Sequence, residues 1–246
     1  MRKLLSLILL SAICLLVIGG LYDSDLNLKV MDIESRDSAA YVTKSVNGHM
    51  GEVVFGDSKN LEDGSANIVS SIVVNYRSFD TLGEVSVLFI ASLGVAFLLG
   101  SGSVPMAFRS RPNFMLKVGG RMIFGFIILL GAFMMSHGHL TPGGGFPGGS
   151  LIAAAMLLLY LADDEVRLNM KAFKIMESAM GTSYVAIGLL GLVTAGYFLT
   201  NLLDTGLVGT LFSAGILPII YVIIGLKVGS ELTGVLNNFM NEEVAE

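Results

Sequence analysis

The sequence predicts an all-α integral membrane protein of about six transmembrane helices, two followed by four, with a polar external loop after the first. Composition is the first ground: 53% of the 246 residues are apolar and only 14% charged, and mean hydropathy is +0.74, whereas an ordinary soluble domain is about 25% charged. The second is spacing, since a bilayer core takes about 20 apolar residues of helix and six stretches approach that length. The third is charge distribution, with the basic residues gathered in alternate connecting segments.

The first span, Leu4–Leu21, follows Arg2 and Lys3. A signal peptide has the same polarity, but this apolar stretch is long for one and no A-x-A site follows, so an uncleaved anchor is expected. Residues 22–66 carry nine acids and four bases with no strong period, and read as an external cap without an assigned helix. Its acidity either concentrates cations or simply solvates a loop.

The second span, Thr81–Gly100, is introduced by NYRSFDTLGE. Arg77, Asp80 and Glu84 stand at i, i+3 and i+7, so a helix through them puts all three on one face, though Thr81 and Gly83 permit a break. A carboxylate at this depth is costly and faces a partner, a water-filled cavity or an ion route. An interfacial ion pair with Arg77 is the structural alternative.

At residues 100–112, GSGSVPMAFRSRP interrupts the apolar pattern and reads as a cytoplasmic linker. It divides a two-helix part, residues 1–105, from a four-helix part, residues 106–246. The third span is Phe114–Ser136, with Arg121 as a snorkelling anchor near its cytoplasmic end.

HGHLTPGGGFPGG, residues 137–149, comes next. Gly143, Gly145 and Gly148 satisfy the G-x-G-x-x-G of dinucleotide-binding folds, but that fingerprint follows a buried strand, and here a membrane helix precedes it. Pro142, Gly143, Gly144, Gly145, Pro147, Gly148 and Gly149 instead form a structural loop, since irregular backbone is tolerated at membrane depth where protein or water satisfies its amides. Pro147 suits the first turn of the following helix, Pro147–Ala162. At about 24 Å that helix is short for the bilayer, so the loop is expected to dip inward. His137 is an ordinary interfacial histidine, whereas for His139 a structural and a proton-linked role are both open.

The connector 163–177 mixes charges at helical spacing and predicts a short surface helix before the fifth span, Ser178–Asn201. The last span, Phe212–Leu236, contains GLKVGSELTG. Lys227 and Glu231, four apart, pair along it, and Gly225 and Gly229 form a G-x-x-x-G suited to close packing. Structural use is the simpler reading, with a proton relay open if Lys227 faces the interior.

An amino terminus inside the cell places Arg2, Lys3, Arg109, Arg111, Lys117, Arg167, Lys171 and Lys174 in cytoplasmic segments and four bases in the external loop. The positive-inside rule therefore predicts a multi-pass cell-membrane protein with both termini cytoplasmic. The net charge of −5, without a basic face, excludes a nucleic-acid partner. Cys14 alone builds neither a disulfide framework nor a cysteine metal site, no cofactor-ligand pattern is present, and neither metal nor cofactor is expected.

Two segments carry a resemblance. NIVSSIVVNYRSFDTLGEVSVLFIASLG resembles the carboxy-terminal region of the large MrpA subunit of Mrp-type Na+/H+ antiporters and the equivalent small subunit, of MbhE type, of archaeal membrane-bound hydrogenases and sulfur reductases. GHLTPGGGFPGGSLIAAAMLLLYLA resembles the MnhB subunit. Together they cover about residues 60–240, so the chain is similar to a fusion of two neighbouring subunits. Arg77, Asp80, Thr81, Gly83 and Glu84 match the family pattern, while Ser78 replaces a glycine, Asn75 an acid and Pro147 a glutamine. An ion-coordinating role of that glutamine does not carry over.

The resemblance implies a non-redox subunit of a multi-protein Na+/H+ translocating module. Its partners would be large antiporter-like subunits and, in archaeal ferredoxin-linked respiratory versions, a peripheral redox arm. No catalysis is implied for the chain by itself. Glu84, with Asp80 and Arg77, is then the leading ion-route candidate; His139, Lys227 and Glu231 are further ones. Membership of a stand-alone Mrp antiporter, or a sealing role without ion-route residues, stays open.

Overall fold

A computed structural model of the chain describes residues 2–23, 38–44, 53–59, 61–99, 112–163, 165–166 and 168–242. Most of the linker at 100–112 and much of the polar loop lie outside them. The described residues hold eight α-helices and one π-helical segment: α1 Arg2–Asp23, α2 Ser38–Val42, α3 Ile68–Ser70, the π-helix Ser71–Tyr76, α4 Ser78–Leu99, α5 Phe114–Ser136, α6 Gly145–Ala162, α7 Met170–Ala195 and α8 Leu217–Glu242. No β-strand occurs among them, only an isolated antiparallel bridge between Lys59 and Leu207. The protein is an all-helical integral membrane protein in which α4 to α8 are each long and apolar enough to span a bilayer, and α1 contributes a shorter apolar stretch.

Helix α5 matches its predicted limits. Elsewhere the ends move, for local reasons. The charged connector is not a separate surface helix: residues 170–177 are the first two turns of α7, and among the described residues before it none is helical from 163 to 169. Asn169 starts the helix by accepting the Ala172 N–H with its side chain. Gly196 ends it at φ +79°, the left-handed conformation that a side chain disfavours, so the apolar run beyond it leaves the helix. Leu199 then donates its N–H back to the Gly188 carbonyl at 3.3 Å.

Helix α8 begins five residues later than expected. Ala214 at φ +66° and Gly215 at φ +59° reverse the chain, and Asn201 fixes the reversal by accepting the Ile216 N–H at 3.0 Å and donating to the Ala214 carbonyl at 3.1 Å. Polar residues Asn237, Asn238 and Asn241 continue α8 beyond the predicted end. In the polar segment, expected without helix, α2 forms. Residues 53–59 and 61–65 lie on the loop that precedes α8: the Gly56 N–H donates to the Val208 carbonyl at 2.9 Å, and Thr205 donates its hydroxyl to the Leu61 carbonyl at 2.8 Å.

Helix α8 is the centre of the bundle, packed by α4, α5, α6 and α7. Of its membrane-length window 61% is buried, against 6% for α4, which offers most of its surface to lipid or neighbours. Val74, Val85, Tyr184, Ile220, Ile224 and Val228 belong to the apolar core. Because lipid is as apolar as these side chains, association inside a membrane depends on close packing, which small residues allow. A Cβ on Gly149 would lie 2.7 Å from the Gly225 carbonyl oxygen and 2.9 Å from the Gly229 nitrogen. The G-x-x-x-G of α8 and the glycine run of α6 are thus two halves of one contact.

Candidate ion-route sites

The NYRSFDTLGE stretch lies where three helical pitches meet. Asn67 caps α3 by accepting the Val69 N–H at 3.1 Å, and the turns over Ser71–Tyr76 then widen to π geometry. There the Arg77 N–H reaches back five residues to the Ile72 carbonyl at 2.8 Å. Arg77, at φ −124° and ψ 39°, closes the wide segment, and α4 runs unbroken through Thr81 and Gly83. Side chains also reach the backbone on both sides of this junction: Thr81 donates to Val73 O at 2.6 Å and buried Tyr184 donates to Ser78 O at 3.2 Å. Wide turns of this kind recur at functional sites.

Ser78, Thr81 and Val85 are buried, so the opposite face of α4 presents Asp80 and Glu84, with Arg77 beside them. Arg77 pairs with Asp80 at 2.5 Å, both side chains largely exposed. Glu84, about 6 Å further into the span than Asp80 by helical rise, is exposed and makes no ion pair with any described residue.

HGHLTPGGGFPGG folds over the end of α5 and starts α6 two residues before Pro147. The Gly144 N–H returns to the Met134 carbonyl at 3.0 Å, within the last turn of α5. Gly144 has φ +133° and lies under the Tyr221 ring, where a Cβ would be 3.1 Å from Cε1. Pro147 is exposed in the first turn, where its missing N–H costs nothing. His137 stacks on Phe133 with ring centroids 4.3 Å apart.

His139 is wholly buried and ties the two parts of the chain together. Its carbonyl accepts from Asn67 N–H at 3.0 Å and Ser65 Oγ at 2.8 Å, and its Nε2 lies 3.1 Å from the Leu211 carbonyl. That acceptor requires the proton on Nε2, leaving Nδ1 as a buried lone pair without a partner among the described residues. Burial pushes its pKa below the ordinary range and outweighs the carbonyls of Thr210 and Leu211, so the ring is neutral.

Beside it is an ion pair that hydropathy cannot announce. Buried Lys44 reaches Asp63 at 3.3 Å and Ser71 Oγ at 2.8 Å, and Asp63 also accepts the Ser71 hydroxyl and, at 3.2 Å, the Ser65 N–H. Tyr76 stands against Glu62 at 3.4 Å; burial and the Glu62 and Asp63 charges raise its pKa far above the usual phenol range. At the other end of the bundle, Asp163 gathers Lys117 at 2.9 Å and Arg121, so Arg121 is a paired group in addition to a depth anchor. Burial alone would raise the Asp163 pKa, but the Lys117 hydrogen bond, the Glu165 N–H and Arg121 together hold it low.

Inside the bundle, Lys227 and Glu231 are both buried and paired at 2.6 Å. Ser92 of α4 donates to the other Glu231 oxygen at 2.9 Å, and the Lys227 ammonium lies 5.4 Å from the Phe89 ring centre. The expected contact along the helix is present, but Lys227 faces the interior of the protein. Two further members carry no signal in the sequence: Ser92, lost in an apolar run, and Glu177, which has the pattern of a surface-helix charge.

The chain is similar to known proteins over nearly all its length. The family of domains related to the MnhB subunit of Na+/H+ antiporters matches residues 115–234, and the MbhE family, named for the E component of MBH, matches residues 21–106. A chain in the structure of a membrane-bound sulfane sulfur reductase, an archaeal respiratory membrane complex, is 38% identical with a TM-score of 0.78, covering 97% of this chain and 98% of that one. An uncharacterized protein of Methanocaldococcus jannaschii is 28% identical over 66% of this chain and 72% of its own length. A probable K+/H+ antiporter protein of Rhizobium meliloti, of the combined A/B type, is 32% identical over 41% of this chain, which spans 13% of that larger protein. The Mrp complex of Dietzia contains a chain that shares the fold, at TM-score 0.64 and 23% identity, over 96% of this chain and 26% of that one. These likenesses make the chain a membrane component of the Mrp-type module, and it belongs to the MnhB-related family in the form that carries an MbhE domain ahead of the MnhB domain.

Proposed function

We propose that the chain serves a Na+/H+ translocating unit inside an archaeal, ferredoxin-linked respiratory complex of the sulfur reductase or hydrogenase type, and carries out no redox chemistry itself. The end-to-end similarity to a chain of such a respiratory complex carries this reading. Its partners are then large antiporter-like subunits, other Mrp-type membrane subunits and a peripheral redox arm, with both termini on the cytoplasmic side.

Within this unit we assign Glu84 to the ion route, with Asp80 and Arg77 setting the field at its outer end. What supports the assignment is an exposed carboxylate at span depth without an ion-pair partner among the described residues. An ionised acid is not left against lipid, so a neighbouring subunit or its water covers Glu84. Replacing Glu84 with Gln in the assembled complex should reduce Na+-dependent transport. Full transport with the complex intact would reject the role, while loss of assembly ahead of transport would favour a purely sealing subunit.

A further inference from the structure

Glu231 is buried, but it is not sealed. A cavity of about 180 Å3 between α4, α7 and α8 is lined by Ser92, Lys174, Glu177, Ser230, Glu231 and Asn238, among others. A water needs only about 10–15 Å3 of such space and two to four polar partners, so this cavity has room for several. Its wall includes Met170, the first residue of α7, and Asn237 and Asn238 near the end of α8, so it extends from the helix ends inward to Glu231. Glu177 lies about 10 Å along α7 by helical rise, half-buried, with exposed Lys174 one turn nearer the end.

The Lys227 side chain is held from three sides. Its stem passes Gly181, where a Cβ would be 3.4 Å from Cε; its ammonium faces Phe89; and Glu231 accepts its hydrogen bond at 2.6 Å. A pair used only for packing has no need of a polar cavity at its acidic end. Such a pair is a poor source of stability, since desolvation offsets much of the attraction.

We propose that this cavity is a water-filled proton inlet from the aqueous phase at the α7 amino-terminal end, and that it loads Glu231, with Glu177 as the carboxylate partway along it. Loading moves one proton from a hydronium ion to Glu177, leaving water, and through cavity water to a Glu231 carboxylate oxygen. Glu231 is then neutral and the Lys227 ammonium is left without its counter-charge beside Phe89. Discharge is the reverse. The titratable and charged groups facing the site are Lys227 and Glu231 of α8 and Glu177 and Lys174 of α7; Ser92 of α4 orients Glu231 without titrating. The inlet deepens the proposed ion-translocating role and rests on it, but uses a different part of the chain from Glu84.

The test uses the intact complex in proteoliposomes. In a Cys14→Ser background, Ala96→Cys on the cavity wall should react with a charged, membrane-impermeant methanethiosulfonate, followed by mass spectrometry of this chain, while Ile90→Cys on the exposed face of α4 should not. Ala96→Cys as unreactive as Ile90→Cys overturns a water-filled inlet. Glu231→Gln should abolish proton translocation, and Glu177→Gln should slow it with the complex still assembled. If Glu231→Gln does not assemble, Glu177→Gln and the labelling decide. Loss of transport in Glu84→Gln with both cavity variants unaffected overturns the inlet and leaves the Glu84 route standing. Loss in the cavity variants with Glu84→Gln unaffected supports the inlet and removes the Glu84 route.

Discussion

Asp63→Asn removes one charge of the buried pair at the loop end and leaves the Lys44 amine without its counter-charge. Lys44 is 4% exposed and Asp63 is 0% exposed, with 3.3 Å between the charged atoms. At an effective dielectric of about 20 that separation corresponds to roughly 5 kcal/mol, and breaking a buried pair by removing one partner costs about 3–5 kcal/mol. Ser71 and the Ser65 N–H still offer hydrogen bonds to the amide oxygen, so the lower end, about 3 kcal/mol, is expected. At about 2–4 °C per kcal/mol for a chain of this size, the helix signal in circular dichroism of the detergent-solubilised chain should be lost roughly 6–12 °C earlier. Lys44→Met with Asp63→Leu removes both charges and should recover most of that loss, because the penalty is the orphaned charge. An Asp63→Asn midpoint within about 1 °C of the unmodified chain, or a double variant worse than both singles together, would refute the reasoning.

Other consequences are local and quickly checked. Gly149→Ala should lower stability by about 1–3 kcal/mol, because the new Cβ meets backbone of α8 that cannot turn aside; detergent melting measures it. Gly83→Ala meets nothing within 4 Å among the described residues, and should leave the isolated protein as stable or more so by up to about 1 kcal/mol. If the α4 face with Glu84 is covered by a partner, the same variant should weaken assembly on a native gel. His139 stays neutral in the fold while the unfolded chain takes a proton near pH 6.5, so stability should fall as pH drops through about 6.5. Melting temperature against pH for His139→Gln should show a shallower acid-side fall; an identical slope would rule out His139 as its source.

Much of the fold is legible in the sequence because a bilayer makes hydropathy nearly sufficient. Phe114–Ser136 is bounded by an Asn cap and a His–Gly turn, and its limits coincide with the helix observed. Legibility fails where hydrogen bonding and hydropathy part company. Beyond Gly196 the sequence stays apolar while the backbone turns left-handed, and before Ser178 it is charged while the helix already runs. The shared outward face of Asp80 and Glu84 follows from helical spacing, whereas the π-helical turn ahead of it leaves no periodic signal. Lys44 and Asp63 meet across 19 residues, and Ser92 and Glu231 across 139, distances at which composition and periodicity are silent. The glycines near 145 are readable as close-packing positions, but only Gly225 and Gly229 opposite them explain why Gly149 bears no side chain.

The central claim is that the chain works as one component of a respiratory ion-translocating complex, and purification from native membranes in mild detergent, with mass spectrometry of everything that accompanies it, tests it most directly. Antiporter-like membrane subunits together with an iron–sulfur or nickel–iron arm are the predicted companions. The same membrane subunits without that arm would contradict the respiratory assignment and make the parent a stand-alone antiporter. The chain emerging intact and alone would contradict membership of any such complex.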